Sequence, residues 1–395
     1  MSWPETVPVP EEVLEIARVL EGAGHEAWCV GGALRDTLLG DPHFDFDLAT
    51  SAPPEEVQRL FRRTAAIGVE HGTVGVIDRK RVMHEVTTFR RDVETDGRHA
   101  VVEYGASLDD DLARRDFTIN ALAYHPLRRE WRDPFGGEND LRAGVVRAVG
   151  APAARFREDY LRILRAIRFA ARFGFTIEPA TWKAAREAAP GLGRLSAERV
   201  RDEWFKGLRT ARDLETLVHL WHESGAAATW LPELRRMDEG GFPLPELSPP
   251  PRDPILLTAL LTSDPAGLLR RLRGSNAEIA RAAAMAVGPA EPRAGDELAV
   301  RRWLASVGAA ADDLVALYRL RRGVEPGWLG TVRAIRERGD PLTRGDLAVS
   351  GRDLEALGLS GKRIGETLAA LLDRVLEDPS ANTRERLIAL AREQG

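Results

Sequence analysis

Residues Gly31 to Thr50 read GGALRDTLLGDPHFDFDLAT and hold the densest group of side chains able to do chemistry. Gly31 and Gly32 follow a short apolar run, Ala27–Val30, and open a helical stretch. Glycine at such a junction permits a tight turn and lets backbone N–H groups approach an anion at a helix start. Arg35, one turn into that helix, can add a charged donor to phosphates. Asp45 and Asp47 follow, separated by Phe46. On a strand, residues i and i+2 share a face, so the spacing predicts two carboxylates converging on one spot. Such a pair repels itself unless a cation lies between. Mg2+, which prefers oxygen ligands and keeps substrate phosphates in its shell, suits it. Taken singly, an Asp-x-Asp is an ordinary solvated strand end and a Gly-Gly an ordinary turn. The order of strand, Gly-Gly, helix and Asp-x-Asp is the specific signal.

That order resembles the signature of the polymerase-β-like nucleotidyltransferase superfamily. The resemblance implies that Asp45 and Asp47 are catalytic and hold metal ions that activate a 3′-hydroxyl and stabilise a leaving pyrophosphate. Glu85, within HEVTTFR, is the candidate for the third carboxylate found in many members; a strand salt bridge is the plain alternative. Two further motifs, Arg114–Asn120 (RRDFTIN) and Arg157–Arg168 (REDYLRILRAIR), resemble those shared by class II CCA-adding enzymes and bacterial poly(A) polymerases. Ser196–Val200 (SAERV) resembles the motif that braces the preceding helices in these proteins. The likeness runs from Gly31 to the C-terminal GRDLEALGLSGKRIG and is dense in the first 210 residues. Carried over, it implies that Gly32, Arg35 and Arg115 contact the phosphates or ribose of a nucleotide. Asp159, Arg162, Arg165 and Arg168 are then expected to bind its base and triphosphate.

The last four residues also make a physical pattern of their own. They recur every three positions, so the spacing predicts a drifting stripe along a helix. Three arginines on one stripe need an anion, which a triphosphate would supply; a surface salt-bridge ladder is the bland reading. Cytosine and adenine each present an amino donor beside a ring-nitrogen acceptor. A carboxylate at Asp159 with a guanidinium at Arg162 suits both bases and opposes the reversed pattern of uracil and guanine.

The elements that must position these groups are legible in part. Glu11–Glu21 reads as a helix between Pro10 and Gly22, and Ala27–Val30 as a strand. Val74–Ile77 and Val82–Phe89 around Asp78–Arg81 suggest a hairpin, with further short strands at Val101–Tyr104 and Ala121–Tyr124. Past Gly150 helical spacing takes over, at Tyr160–Phe173, Pro179–Ala188, Ala197–Leu208 and Leu214–Glu223, with proline-rich breaks at Pro243–Pro254 and Pro289–Pro292. The expected fold is α+β. A small polymerase-β-like α/β head (residues 11–149) precedes an elongated all-α neck (150–210), then an all-helical body and tail (211–395) expected to bind tRNA.

At 395 residues there is room for two or three domains. No apolar run is long enough for a membrane span, and the N-terminus, MSWPETVPVPEE, lacks a basic region followed by an apolar stretch. One cysteine, Cys29, excludes an internal disulfide and a cysteine metal cluster, and these features together favour the cytoplasm. The net charge is −5, yet Ala151–Thr210 carries 13 Lys or Arg against 7 Asp or Glu, a block that can face a polyanion or simply be a solvated helix face.

The resemblance implies a CCA tRNA nucleotidyltransferase that uses CTP, ATP and Mg2+ and binds the acceptor and T arms of tRNA. It implies no membrane and no protein partner. Poly(A) polymerase is the near rival, but the mixed-charge tail looks like that of bacterial CCA-adding enzymes. Gly358–Gly361 before a helix suits an RNA phosphate or a plain linker equally. The polar segment Arg90–Ala100 stands where CC-only enzymes typically lack a flexible loop, which disfavours CC-only addition. Ala100 and Tyr160 depart from the family pattern and leave full CCA and A-only addition both open. A non-catalytic RNA-binding protein is hard to reconcile with an intact Asp45 and Asp47 beside an intact arginine stripe.

Overall fold

The computed structural model describes residues 4, 6–41, 45–68, 72–95, 100–236 and 251–393. The chain divides into two compact units, Met1–Pro232 and Glu233–Gly395. A seven-stranded sheet in the order β3-β4-β5-β2-β1-β8-β9 anchors the first unit. Its strands are β1 (Ala27–Val30), β2 (Asp47–Thr50), β3 (Thr64–Gly68), β4 (Thr73–Ile77) and β5 (Met83–Thr88), then β8 (Ala123–His125) and β9 (Glu130–Arg132). A separate antiparallel hairpin joins β6 (Arg90–Thr95) to β7 (Ala100–Tyr104). The segment expected as a polar loop is thus largely paired backbone, while Asp96–His99 lie outside the described residues. Within the main sheet β2 and β5 run parallel and the other pairs antiparallel.

The strand β1 is buried along its length because both faces are covered. Ala27 and Cys29 cluster with Val13, Ile16, Ala17 and Leu20, the apolar stripe of α1 (Glu11–Gly22), and with Val57 of α3 (Pro54–Leu60). Trp28 and Val30, on the opposite face, cluster with Leu108 and Leu112 of α4 (Leu108–Ala113). Between β1 and β2 lies α2 (Gly32–Leu38). The expected β4–β5 hairpin is present, its turn closed by Asp78 Oδ1, which accepts from the Val82 amide at 2.8 Å. The strand expected at Ala121–Tyr124 starts two residues later, because Thr118–Asn120 form a 3-10 turn.

After α5 (Gly137–Ala143), helices dominate. The remaining helices of this unit are α6 (Pro152–Glu158), α7 (Leu161–Phe173), α8 (Pro179–Ala188), α9 (Ala197–Thr210), α10 (Leu214–Glu223) and α11 (Ala226–Trp230). A short parallel pair, β10 (Val145–Val146) with β11 (Thr176–Ile177), interrupts the all-helical pattern read from the sequence. The helix α7 buries Ala166, Phe169 and Ala170 against Phe117, Ile119 and Leu122, which ties it to the RRDFTIN segment. It ends at Gly174, whose φ of 68° is left-handed and favours glycine.

The second unit is helical around two clusters, one containing Trp303, Tyr318 and Trp328, the other Leu354, Leu371 and Leu387. Some of its helix starts carry a capping box, as at Ser275 with Glu278 and Ser350 with Asp353. The glycine turn at Gly358–Gly361 has φ of 87° and 56° at its two glycines and leads into a helix at Lys362–Glu377. Residues 243–250 of the first proline-rich break lie outside the described residues. No helix among the described residues is long and apolar enough to cross a membrane.

Candidate active site

Strand pairing, rather than sequence distance, assembles the carboxylates. The antiparallel register sets Val30 opposite Asp47, so the Gly31–Gly32 turn leaving β1 arrives beside Asp47. The parallel register sets Leu48 beside Val86, which places Asp47 and Glu85, one residue earlier on each strand, side by side on the same face. Gly31 has φ 82°, and a Cβ there would lie 3.5 Å from both Asp47 Oδ2 and Arg115 Nη1. The glycine is therefore needed for the left-handed backbone conformation, since 3.5 Å is an ordinary contact distance for a Cβ. Asp45 differs from expectation. The strand β2 begins only at Asp47, so Asp45 precedes it and is exposed, although buried Phe46 still separates the two.

Burial, then the charges of Glu85 and Asp45, push the Asp47 carboxyl up to about 6, with Arg115 opposing. A carboxylate cluster this poorly compensated fits a divalent cation. Among the described residues, no group of three or more His, Cys, Asp or Glu is already arranged to hold one.

The arginines form the facing wall, each held by a protein acceptor. Arg165 Nε donates to Asp116 Oδ2 at 2.6 Å, and Arg168 Nε to Glu203 Oε2 at 2.6 Å. Arg35 is buried: it donates to Asp36 at 2.8 Å and Asn120 Oδ1 at 2.5 Å, and lies over the rings of Phe169 and Phe173. Its hydrogen bonds thus tie α2 to the Thr118–Asn120 turn, and its ring contacts hold it against α7. Asp116 is the hub that sequence reading missed. Burial pushes its carboxyl up, but Arg165, the Asn120 amide and the Phe117 N–H outweigh burial and hold it below the usual range. No local signal marks this role, since Arg165 lies 49 residues away. Arg115 donates to Asp111 at 3.2 Å and to the Asn120 carbonyl at 3.4 Å, while its buried Nε finds no acceptor in the protein. A buried orphan donor calls for a partner.

Asp159 is not on the helical stripe. It sits between α6 and α7 in extended conformation, and Oδ1 accepts from the amide of Leu161, the first residue of α7, at 3.0 Å. Its Oδ2 accepts from Arg199 Nη2 at 2.7 Å, in the SAERV segment. Arg162 is anchored on the carbonyls of Arg155 and Arg114 and on Glu158. Tyr160, read as a departure, packs so closely on Gly191 that a Cβ there would lie 2.0 Å from its Cε1, and Arg194 covers the ring. Gly191→Ala should therefore destabilise the fold by roughly 1–3 kcal/mol by overpacking, and Tyr160→Ala should restore most of that loss. Thermal melts of the single and double variants would show it; additive losses would mean the two residues do not press on each other.

These groups line one cleft of about 590 Å3, within the roughly 300–1,000 Å3 usual for small-molecule sites. Of the nine residues selected from the sequence, Gly32, Arg35, Asp47, Arg115, Asp159, Arg162, Arg165 and Arg168 line it, together with Glu85. Asp47 and Glu85 thus share the cleft with Arg115, Arg162, Arg165 and Arg168, an arrangement suited to a metal-bound polyphosphate.

A family model described as the poly A polymerase head domain matches residues 27–147. A second, described as the probable RNA and SrmB-binding site of polymerase A, matches residues 174–237. The chain is 45% identical over 214 residues to the CCA-adding enzyme of Streptococcus suis, a match that spans about half of each chain, 51% and 53%. It is 36% identical over 399 residues to that of Geobacillus stearothermophilus, covering 97% of this chain and 96% of the relative. The crystal structure of the Bacillus stearothermophilus CCA-adding enzyme in complex with CTP superposes with a TM-score of 0.83 at 33% identity over 98% of each chain. The Thermotoga maritima CCA-adding enzyme complexed with tRNA shares the fold, with a TM-score of 0.65 at 20% identity over 97% and 95% of the two chains. A carboxylate pair beside a glycine turn, an arginine wall across from it and a full-length match at this identity lead to one conclusion: the chain belongs to the family of CCA-adding enzymes, nucleotidyltransferases built on a polymerase-β-like head.

Proposed function

We propose that the protein builds or repairs the 3′-terminal CCA of tRNA without a template, taking CTP and ATP and releasing pyrophosphate in the cytoplasm. The observation that carries this reading is the single cleft in which Asp47 and Glu85 face Arg115, Arg162 and Arg165. Asp45 and Asp47 would hold Mg2+, which when bound activates the attacking 3′-hydroxyl and stabilises the leaving pyrophosphate. Arg115 lines the cleft beside Asp47 and would give a phosphate oxygen the Nη N–H groups that its bonds to Asp111 and the Asn120 carbonyl leave over. Arg165 and Arg168, fixed by Asp116 and Glu203, add positive potential without moving. Asp159 and Arg162 lie at the base end and select cytosine and adenine by their shared edge pattern. Incubation with tRNA lacking its last three nucleotides, CTP and labelled ATP tests this. Full restoration of CCA is expected. Addition of A alone to a CC end, or of a long A tract, would replace this reading with an A-adding enzyme or a poly(A) polymerase.

The RNA should lie along the helices after Gly150 and be held mainly through phosphates, so binding should weaken steeply with salt and depend little on base sequence. Arg194 and Lys206 are exposed, as is Arg209, which lies over the Phe205 ring. Arg201 lies 3.5 Å from Asp202. Reversing charges among these four should lower tRNA affinity and leave CTP binding unchanged; equal tRNA affinity would move the RNA surface elsewhere.

A further inference from the structure

The guanidinium groups of Arg35, Arg165, Arg168 and Arg172 line the cleft and share their counter-charges. Asp36 holds Arg35 at 2.7 Å and Arg172 at 3.0 Å. Asp116 holds Arg165, and Glu203 holds Arg168, each at 2.6 Å. Three carboxylates for four cations leave one positive charge over within this group. Burial opposes the charge on Arg35 and Arg168 and pulls both below their ordinary values. Aromatic rings face the same cations. The guanidinium carbon of Arg168 lies 4.2 Å from the centre of the Phe169 ring, that of Arg35 5.1 Å and that of Arg165 5.4 Å. Phe173 takes Arg172 at 4.7 Å and Arg35 at 4.9 Å. The Phe169 ring is itself fixed. It is buried, meets Phe117 edge to face at 5.8 Å, and stands parallel to Phe173, one turn further along α7, at 6.0 Å.

We propose that Phe169 is a positioning residue for the triphosphate, its ring holding Arg35, Arg165 and Arg168 in place without neutralising them. This rests on the reading that the cleft binds a nucleoside triphosphate, and it adds how the cleft keeps its positive potential while its arginines stay fixed. A fourth carboxylate would hold these side chains as firmly, but it would cancel the charge that an entering triphosphate meets. The face of an aromatic ring attracts a guanidinium through its quadrupole and carries no net charge. One ring shared by three arginines therefore restrains them together and leaves the surplus charge for the anion. Donors fixed in this way need no reorganisation when the phosphates arrive.

Phenylalanine carrying one, two or three fluorines, installed at position 169 of the full-length protein, keeps the ring and drains its face of negative charge. The Kd for CTP and the Ki of inorganic tripolyphosphate should rise together with each fluorine, to about tenfold at three, as expected for a desolvated cation–ring contact. The preference for CTP over UTP should not move, since the ring holds the triphosphate arginines and not Asp159 or Arg162. Phe169→Leu should weaken CTP and ATP alike, and Phe169→Tyr should recover most of the affinity. The fluorinated series decides the matter even if the leucine variant fails to fold. Equal affinity for CTP at none and at three fluorines would overturn the assignment. A rise accompanied by loss of the preference for CTP would overturn it too, because the ring would then support the helix as a whole. If the wild-type protein binds neither CTP nor tripolyphosphate, the proposed function fails first and takes this role of Phe169 with it.

Discussion

Asp47→Asn should abolish nucleotide addition, by several orders of magnitude in rate, since a metal site supplies several kcal/mol of transition-state stabilisation. The substitution keeps the shape and removes one charge from a position where Glu85 and Asp45 already repel it. The tRNA affinity should stay near wild type, because the residue lies in the carboxylate wall and not among the basic helices. Asp45→Asn should act in the same direction. Retention of more than about a tenth of the rate, equivalent to roughly 1.4 kcal/mol of barrier, would remove Asp47 from the catalytic group.

The same residue should set an opposite trend in stability. In the metal-free protein its carboxyl titrates at about 6, against 3.8 for an ordinary Asp. Between those values the folded state keeps a proton that the unfolded chain releases. Its stabilising contribution is therefore fully present below the ordinary value and lost as pH rises to about 6. The difference corresponds to up to about 3 kcal/mol, so Asp47→Asn should melt higher than wild type at pH 7 without metal. Added Mg2+ should raise the melting temperature of the wild type and not of the variant.

The sequence carries the catalytic strand and turn openly because each is a local event. Apolar Ala27–Val30, two glycines and an alternating acid pair need no partner to be recognised. What it hides are the long-range pairings that give those residues their environment. Asp116 sits among arginines in RRDFTIN and looks like their local counter-charge, yet its carboxylate is shared between Arg165, 49 residues on, and Asn120, which in turn holds Arg35 from 85 residues away. The three-residue spacing of Asp159, Arg162, Arg165 and Arg168 fits a helix, but a carboxylate two residues before a helix can accept from the exposed amide of its first residue. Asp159 accepts from the Leu161 amide and stays outside α7. Glu85 could not be placed from the sequence because its neighbour Asp47 comes from a parallel strand 38 positions earlier, and parallel register leaves no turn signature.

Base choice should follow the order of donor and acceptor at positions 159 and 162. Both groups are fixed yet retain capacity. Asp159 spends one lone pair on each oxygen, to Leu161 and Arg199, and Arg162 spends three of its five N–H donors, on Arg155, Glu158 and Arg114. A carboxylate and a guanidinium held this way can each still meet one edge of a base without reorganising. Exchanging them, Asp159→Arg with Arg162→Asp, presents a donor where the acceptor stood and the reverse. Incorporation of UTP and GTP should rise relative to CTP and ATP by about ten- to a hundredfold, the 1–3 kcal/mol of a well-placed pair. The overall rate should fall, because the new arginine meets Arg199 and the new aspartate meets Glu158. Adding Arg199→Glu gives the new arginine a partner and should recover part of that rate while keeping the altered preference. Arg165→Ala, by contrast, should weaken all four triphosphates alike. Competition assays with the four nucleotides decide between these outcomes. If the exchanged pair keeps the wild-type order of preference in both backgrounds, selection of C and A does not reside in Asp159 and Arg162.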